Sequence, residues 1–216
     1  MGQDSTSLIL NVIVANTFQV VQTILYCNFN AVCTSISLVT EWDRFGSHRK
    51  GLRVSAKPQG AQRQTYFLQL PFRYSIPVMI FSGLIHWLIS QSIFVVSMES
   101  YGPSSENVMA MVPYPEKSFT SCGWSGFGVM IVALSISFMV VYLIIVGSRP
   151  LKFGEIPVVG SCSAGISAAC HPGLGEPNAW EKPLQWGVVA VSNTGPGHCS
   201  FSGGKVDEPQ QGLLYA

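Results

Sequence analysis

The chain has 216 residues, of which 48% are hydrophobic and only 11% are charged, and its formal net charge is +1. Soluble domains usually carry about 25% charged residues, so this composition argues against an ordinary soluble protein. The near-neutral balance also argues against nucleic acid as a partner, since a nucleic-acid-binding protein would present a basic face. Charges are absent from three long stretches, between Asp4 and Glu41, between Arg73 and Glu99, and between Lys117 and Arg149. These stretches predict three membrane spans.

The spans are predicted near Leu8–Tyr26, Ile76–Val96 and Phe127–Val146. Each has a suitable length, because a helix that rises about 1.5 Å per residue crosses the roughly 30 Å hydrocarbon core in about 20 residues. The third span is the most apolar and should be the most exposed to lipid. The alternative for each stretch is a helix buried in a soluble core, and the more polar first stretch fits that alternative best. The predicted fold class is therefore an all-α membrane protein, with three transmembrane helices that form part of a larger helical bundle and a Gly/Pro-rich, partly β cytoplasmic tail.

The chain divides into six segments on this interpretation. They are an N-terminal stub with the first span (1–40), a basic cytoplasmic loop (41–73), the second span (74–98), an outer loop (99–125), the third span (126–148) and the tail (149–216).

The orientation follows from the distribution of basic residues. Segment 41–73 holds seven of the twelve Lys and Arg residues, whereas the outer loop holds only Lys117. The seven are Arg44, Arg49, Lys50, Arg53, Lys57, Arg63 and Arg73. The positive-inside rule then predicts an integral, multi-pass protein with its N-terminus outside and its C-terminus in the cytoplasm. A basic loop beside the membrane also attracts anionic lipid headgroups, although it can serve as a topology signal alone.

The first span carries a face of amides. These side chains fall within an arc of about 140° on a helical wheel; they are Asn11, Asn16, Gln19, Gln22 and Asn30. Acyl chains offer amides no hydrogen-bond partners, so the face should contact other helices or a wet cavity. Beyond the lipid bilayer, the expected partners are thus other transmembrane helices, either spans missing from the N-terminus of this chain or those of an oligomer.

The second span carries a polar stripe within an arc of roughly 80°. Its members are Ser75, Ser82, His86, Ser90 and Ser97. A histidine inside a membrane span is a candidate for a ligand contact or a proton relay. The alternative is a structural hydrogen bond between packed helices.

The tail contains 11 Gly and 7 Pro residues after Arg149. Short apolar runs at Ile156–Val159, Trp186–Val191 and near Leu213–Tyr215 predict strands separated by turns. A unit of this size is marginally stable alone and is expected to dock elsewhere.

The tail also holds three cysteines and two histidines, the only weak candidates for metal ligands. They are Cys162, Cys170, His171, His198 and Cys199. Their spacing matches no established zinc pattern, so we expect neither a metal nor a cofactor. An enzyme is not expected either, although Cys162 or Cys170 with His198 could supply a thiol nucleophile and its base. Reduced cytosolic thiols are the simpler interpretation.

Four sequence blocks carry a family resemblance. In chain order they read EWDRFGSHRKGLRVSAKPQGAQRQTYFLQLPFRYSIPVMIFSGLIHWLISQSIF, GSCSAGISAACHP, GHCSFS and LLYA. The chain resembles the C-terminal portion of an uncharacterised family of fungal multi-pass membrane proteins built around domain of unknown function 6536. The resemblance implies further spans upstream and assigns no catalytic or binding residue. Two functions remain open, a component of a membrane transport or sensing bundle, or a structural protein that recruits partners through its cytoplasmic loop and tail.

Overall fold

The computed structural model describes residues 5–103, 111–114, 117–170, 176–191 and 195–215. They form two compact units. Unit 1 comprises Met1–Asn30 and Ile76–Ile144, and unit 2 comprises Ala31–Ser75 and Ile145–Ala216.

Three long helices dominate the described residues, namely α1 (Ser5–Ser47), α2 (Phe72–Ser92) and α3 (Gly126–Gly147). Each is long and apolar enough to cross a membrane, which confirms the predicted number of such helices. A fourth helix, α4 (Ser163–Ala169), is short. The strands are β1 (Arg53–Val54), β2 (Arg63–Gln64), β3 (Ile93–Met98), β4 (Tyr101–Pro103), β5 (Met111–Pro113), β6 (Phe119–Trp124), β7 (Gln185–Ala190) and β8 (His198–Ser202).

Helix α1 is much longer than the predicted first span. Its 43 residues correspond to roughly 64 Å at about 1.5 Å per residue, twice the thickness of a hydrocarbon core. It continues through Glu41–Ser47, which the sequence assigned to the basic loop. The reason is local, because no glycine or proline interrupts the chain between Ser5 and Phe45, and these are the residues that end helices.

Helix α2 ends earlier than the predicted span, because Ile93–Met98 forms strand β3 instead of the last turns of a helix. This segment is rich in β-branched and aromatic residues, which favour strands. It pairs in antiparallel register with β6, from Ile93 opposite Trp124 to Met98 opposite Phe119. Ser97 therefore leaves the predicted helical stripe, and its hydroxyl lies 3.2 Å from that of Thr120.

In unit 1, strands β4 and β5 pair antiparallel as a two-stranded sheet separate from that of β3 and β6. Helix α3 follows directly and has no buried residue, in keeping with its very apolar composition. It lies close to the end of α2 at Gly128, where an added Cβ would lie 2.6 Å from the Ser92 hydroxyl and 3.2 Å from the Ser92 Cα.

Unit 2 joins the last turns of α1 to the basic loop and the tail around one hydrophobic core. The core residues are Phe45, Ile156, Ala169, Ala179, Leu184, Trp186 and Phe201. Loop and tail are linked by reciprocal backbone hydrogen bonds of 2.8 Å between Lys50 and Leu184. The tail thus uses the end of α1 as one wall of its core.

The predicted tail strands are confirmed in part. The run Trp186–Val191 coincides with β7, which pairs antiparallel with β8. The run Ile156–Val159 forms no strand, and Ile156 instead contributes a buried side chain to the core. Near the C-terminus, Tyr215 makes only an isolated bridge to Gly197.

Candidate functional site

An apolar pocket of about 320 Å³ lies within unit 2. Its walls come from the last turns of α1, the basic loop and the tail. The lining residues are Leu38, Glu41, Trp42, Phe45, Leu52, Arg53, Cys170, Ala179, Trp180, Leu184 and Phe201. A cavity of this volume with mostly aliphatic and aromatic walls and few polar groups has the usual character of a small-molecule site.

Aromatic packing positions the α1 wall of the pocket. The ring of Phe201 meets Trp42 edge to face at 4.9 Å and Phe45 at 5.4 Å between centroids. The indole of Trp42 also donates a hydrogen bond to the carbonyl of Pro157 at 3.0 Å. Since Trp42 and Phe45 lie three residues apart on α1, they face the same side of that helix.

The polar side of the pocket is a charged wall formed by Glu41 and Arg53, and Arg63, which does not line the pocket itself, binds the same Glu41 carboxylate. The Nε of Arg53 donates to both carboxylate oxygens of Glu41, at 2.8 and 2.9 Å. The Nη2 of Arg63 donates to the same carboxylate at 3.1 Å. The guanidinium of Arg53 stacks 3.6 Å from the centroid of the Tyr66 ring, a cation–π contact. One carboxylate between two guanidinium groups leaves an excess positive charge.

Lys50 adds to this positive field. Its ammonium has a lowered pKa, first because burial disfavours the charged form. The positive charges of Arg44 and Arg63 lower the pKa further, against the opposing effect of Glu41. The arginines and Lys50 together therefore outweigh the single acidic side chain.

The turn at residues 203–204, directly after β8, forms hydrogen bonds with the side chains of Arg49 and Glu176. Arg49 donates to the carbonyl of Gly203 at 2.7 Å and also to that of Gly204. The Glu176 carboxylate accepts the Gly204 N–H at 3.0 Å and the Ser202 hydroxyl at 2.5 Å. The hydrogen bond from Ser202 is the main cause that lowers the pKa of Glu176, since it stabilises the ionised carboxylate.

In unit 1, His86 is half-buried on α2 and contacts α1. Its Nε2 lies 3.2 Å from the Oγ1 of Thr23. Thr23 already donates its hydroxyl proton to the carbonyl of Gln19 at 3.0 Å. The Thr23 hydroxyl can accept a hydrogen bond from Nε2 or donate one to it, according to the tautomer of the ring. The contact therefore joins two helices, as expected for a histidine that makes a structural hydrogen bond between packed helices. A proton-relay role for His86 stays a prediction.

The polar stripe around His86 is only partly buried. Ser75 is buried, whereas Ser82 and Ser90 are half-buried. Ser90 donates to the carbonyl of Trp87 within its own helix at 2.8 Å. The most buried α2 side chains are Ile85 at 1% and Ser75 and Ser92 at 2% exposed, so His86 is less buried than the serine that begins its stripe.

The amide face of α1 is partly satisfied within the chain. Gln22 is 5% exposed, and Gln19 and Asn30 are half-buried. Asn11 donates to the carbonyl of Thr120 on β6 at 3.3 Å, while Asn16 is exposed and donates to its own helix at Val12. The face predicted to need neighbours thus finds some of them in unit 1.

The cysteines and histidines of the tail are spread over its elements. Cys162 precedes α4 and Cys170 follows it, so a helix of about 10 Å separates their backbones. His198 and Cys199 lie on β8, and His171 lies outside the described residues. Where the structure describes the chain, no group of three His, Cys, Asp or Glu side chains could hold a metal ion. The six cysteines are unpaired.

Sequence reasoning did not identify the pocket. Only the motif Glu41-Trp42-Asp43, at the end of a long apolar stretch, signalled that acids and an aromatic ring share one helical turn. The tail wall comes from residues more than 100 positions away, and a single sequence does not reveal that proximity.

The model of one protein family, described as a domain of unknown function (DUF8419), matches residues 1–198. The match confirms the predicted domain of unknown function, although under a different family number from the 6536 that the resemblance suggested. No curated protein and no solved structure matches the chain.

Proposed function

We propose that this chain, which belongs to the DUF8419 family, is an integral membrane protein that crosses a bilayer three times and carries a folded binding body, unit 2, in the cytoplasm. The observation that carries the proposal is the bare apolar surface of the three long helices. The 22 residues of α3 include no buried residue. Exposed apolar surface on this scale would be costly in water and is explained by lipid.

Connectivity and charge support the orientation. If α1, α2 and α3 all cross, the end of α1, the start of α2 and the end of α3 share one side of the membrane. The segments of unit 2 adjoin those three ends, and they include the loop with seven of the twelve basic residues. The positive-inside rule assigns that side to the cytoplasm.

Cysteine labelling tests this arrangement in intact cells. Two variants would each retain one cysteine, either Cys122 on β6 or the exposed Cys162 before α4. We expect a membrane-impermeant maleimide to label the Cys122 variant in intact cells and the Cys162 variant only after permeabilisation. The opposite pattern would overturn the orientation, and protein released from membranes by alkaline carbonate would overturn the membrane assignment.

A binding role is favoured because the loop and the tail make one body. Besides the Lys50–Leu184 pairing, the Ala61 N–H donates to the carbonyl of Glu181 at 2.7 Å, and Gln62 donates to the carbonyl of Trp180 at 3.2 Å. A partner or ligand would therefore meet a joint surface instead of two separate peptides. Deleting the tail should unfold the loop as well, which limited proteolysis of the shortened protein can measure.

A transport or sensing bundle is the second candidate, and the His86–Thr23 hydrogen bond is the observation that favours it. A protonatable ring between two spans can couple pH to helix packing. The test is proton flux into liposomes that contain the purified full chain and a pH-sensitive dye. Flux should be lost in His86→Ala and kept in His48→Ala, which alters an exposed histidine. Equal flux in both variants and the parent would remove this candidate.

Relatedness to the fungal multi-pass family of domain 6536 stays a prediction that rests on the four sequence blocks. It would provide further helices for the exposed surfaces of α1, where Asn16 and many apolar side chains face outward. Those helices, or the spans of an oligomer, are the proposed protein partners within the membrane.

A further inference from the structure

We propose that the pocket of unit 2 binds a long-chain fatty acid, with its hydrocarbon chain between the aromatic walls and its carboxylate at the charged wall. This inference deepens the proposed function and rests on it, since unit 2 must stand beside the cytoplasmic leaflet to receive such a ligand.

The apolar walls determine the body of the ligand. Most of the lining is aliphatic or aromatic, and it includes Leu184 and the ring of Phe201, which contacts both Trp42 and Phe45. Each methylene group moved from water into such a site contributes about 0.8 kcal/mol. A cavity of 320 Å³ is near the lower end of the range of about 300 to 1,000 Å³ for ligand sites, which favours one hydrocarbon chain over the two of a phospholipid.

The charged wall determines the head of the ligand. The carboxylate of Glu41 is shared between Arg53 and Arg63, so these three residues carry a net positive charge. Arg53 lines the pocket, and its stacking on Tyr66 holds the guanidinium in place. Guanidinium groups bind carboxylates through strong, charge-assisted hydrogen bonds. An anionic head is therefore complementary to this wall, whereas the hydroxyl of a fatty alcohol or a sterol leaves the excess charge unbalanced.

The pocket is partly formed by the end of α1, and this position indicates where the ligand comes from. Leu38, Trp42 and Phe45 belong to α1, whose earlier turns have the length and composition of a membrane span. A fatty acid dissolved in the bilayer is concentrated beside that helix. The bilayer is therefore the source to which this proposal commits.

Photo-crosslinking of the full chain in nanodiscs of zwitterionic lipid tests the proposal. The probe is palmitate with a diazirine near the end of its chain, and labelled peptides are identified by mass spectrometry. We expect saturable labelling of peptides that contain Trp42, Phe45 or Leu184. Unlabelled palmitate should compete at a concentration roughly tenfold lower than hexadecanol, the effect of about one hydrogen bond to a charged group. This comparison needs no variant and so does not depend on the folding of a mutant.

Two variants locate the site. Leu184→Trp, which fills the cavity, should abolish the saturable labelling, and Lys57→Gln, which alters an exposed cation of the same loop outside the pocket, should leave it unchanged. Labelling confined to lipid-facing residues of α3, or equal competition by hexadecanol, would overturn the proposal. A wrong membrane orientation would instead appear in the Cys122 and Cys162 labelling, which does not involve the probe.

Discussion

The carboxylate of Asp43 accepts the backbone N–H of Gly154 at 2.9 Å, and its other oxygen accepts that of Lys152, also at 2.9 Å. Asp43 is only 2% exposed, and a buried charge is tolerated only when hydrogen bonds compensate for its lost hydration. The contact ties the last turns of α1 to the chain that follows α3. It thereby holds the α1 wall of the pocket, formed by Trp42 and Phe45, against the tail.

Asp43→Asn should destabilise unit 2 by about 1.5 to 3 kcal/mol, because the amide keeps one acceptor oxygen and loses the charge-assisted hydrogen bonds of the other. Urea unfolding followed by the fluorescence of the tail tryptophans Trp180 and Trp186 measures the loss. Asp207→Asn is the matched control, since Asp207 is exposed and its described hydrogen bonds to Val188 are made by the backbone. Equal stability of the two variants would show that the Asp43 contact is dispensable.

Gly128→Ala should destabilise unit 1 by about 1 to 3 kcal/mol, the usual cost of overpacking. The reason is that the new methyl group would lie only 2.6 Å from the hydroxyl oxygen of Ser92. Gly83→Ala is the control on α2, where an added Cβ meets nothing within 4 Å. At that position the higher helix propensity of alanine should increase the free energy of unfolding by up to about 1 kcal/mol. Unfolding in mixed detergent micelles gives both values, and a neutral Gly128→Ala would contradict the close approach.

Unit 2 should lose stability at acidic pH through Glu176. Its folded-state pKa lies below the unfolded value of about 4.3, so the folded protein binds fewer protons than the unfolded chain. The contribution is fully present above about pH 4.3 and is lost as the pH falls through the folded pKa.

Thermal unfolding between pH 7 and pH 3 measures this effect. Glu176→Gln should lower the melting temperature at pH 7 and reduce the further decrease below pH 4.3. Glu208→Gln alters an exposed glutamate near the same turn and should retain the pH dependence of the parent. A Glu176→Gln protein with an unchanged pH profile would assign the acid sensitivity to other carboxyl groups.

The His86–Thr23 hydrogen bond should appear as an energetic coupling between α1 and α2. In a double-mutant cycle with His86→Ala and Thr23→Val, we expect a coupling of about 0.6 kcal/mol, the mean for polar contacts between membrane helices. Unfolding of reconstituted protein by steric trapping provides the four free energies. Strict additivity would mean that the 3.2 Å contact contributes nothing to packing.

Several features of the fold could be predicted from local sequence patterns. The absence of charge over long stretches identified three membrane-length helices, and the short apolar run at Trp186–Val191 identified β7. The end of α2 could not be predicted in this way, because a short apolar run such as Ile93–Met98 has no periodicity that separates helix from strand. Its strand depends on pairing with β6, whose residues lie some 25 positions later.

The candidate site likewise contains residues that the sequence identified and contacts that only the folded structure reveals. His86 was identified from its place in an uncharged helix, but its partner Thr23 required the geometry of α1. Asp43 and Glu41 could be read only as charges at a membrane edge. Their roles depend on backbone donors at 152–154 and on two arginines of the loop, groups that only folding brings within hydrogen-bond distance.

Composition and charge by themselves determined that this protein carries three helices suited to a membrane and that its basic residues concentrate between the first two. Those properties are sums over neighbouring residues, so a single sequence suffices to establish them. Only the tertiary structure decided that loop and tail close around the end of α1 as one body, and that a pocket with a charged wall lies in that body. Each of these depends on contacts between residues far apart in the chain, for which local sequence carries no signal.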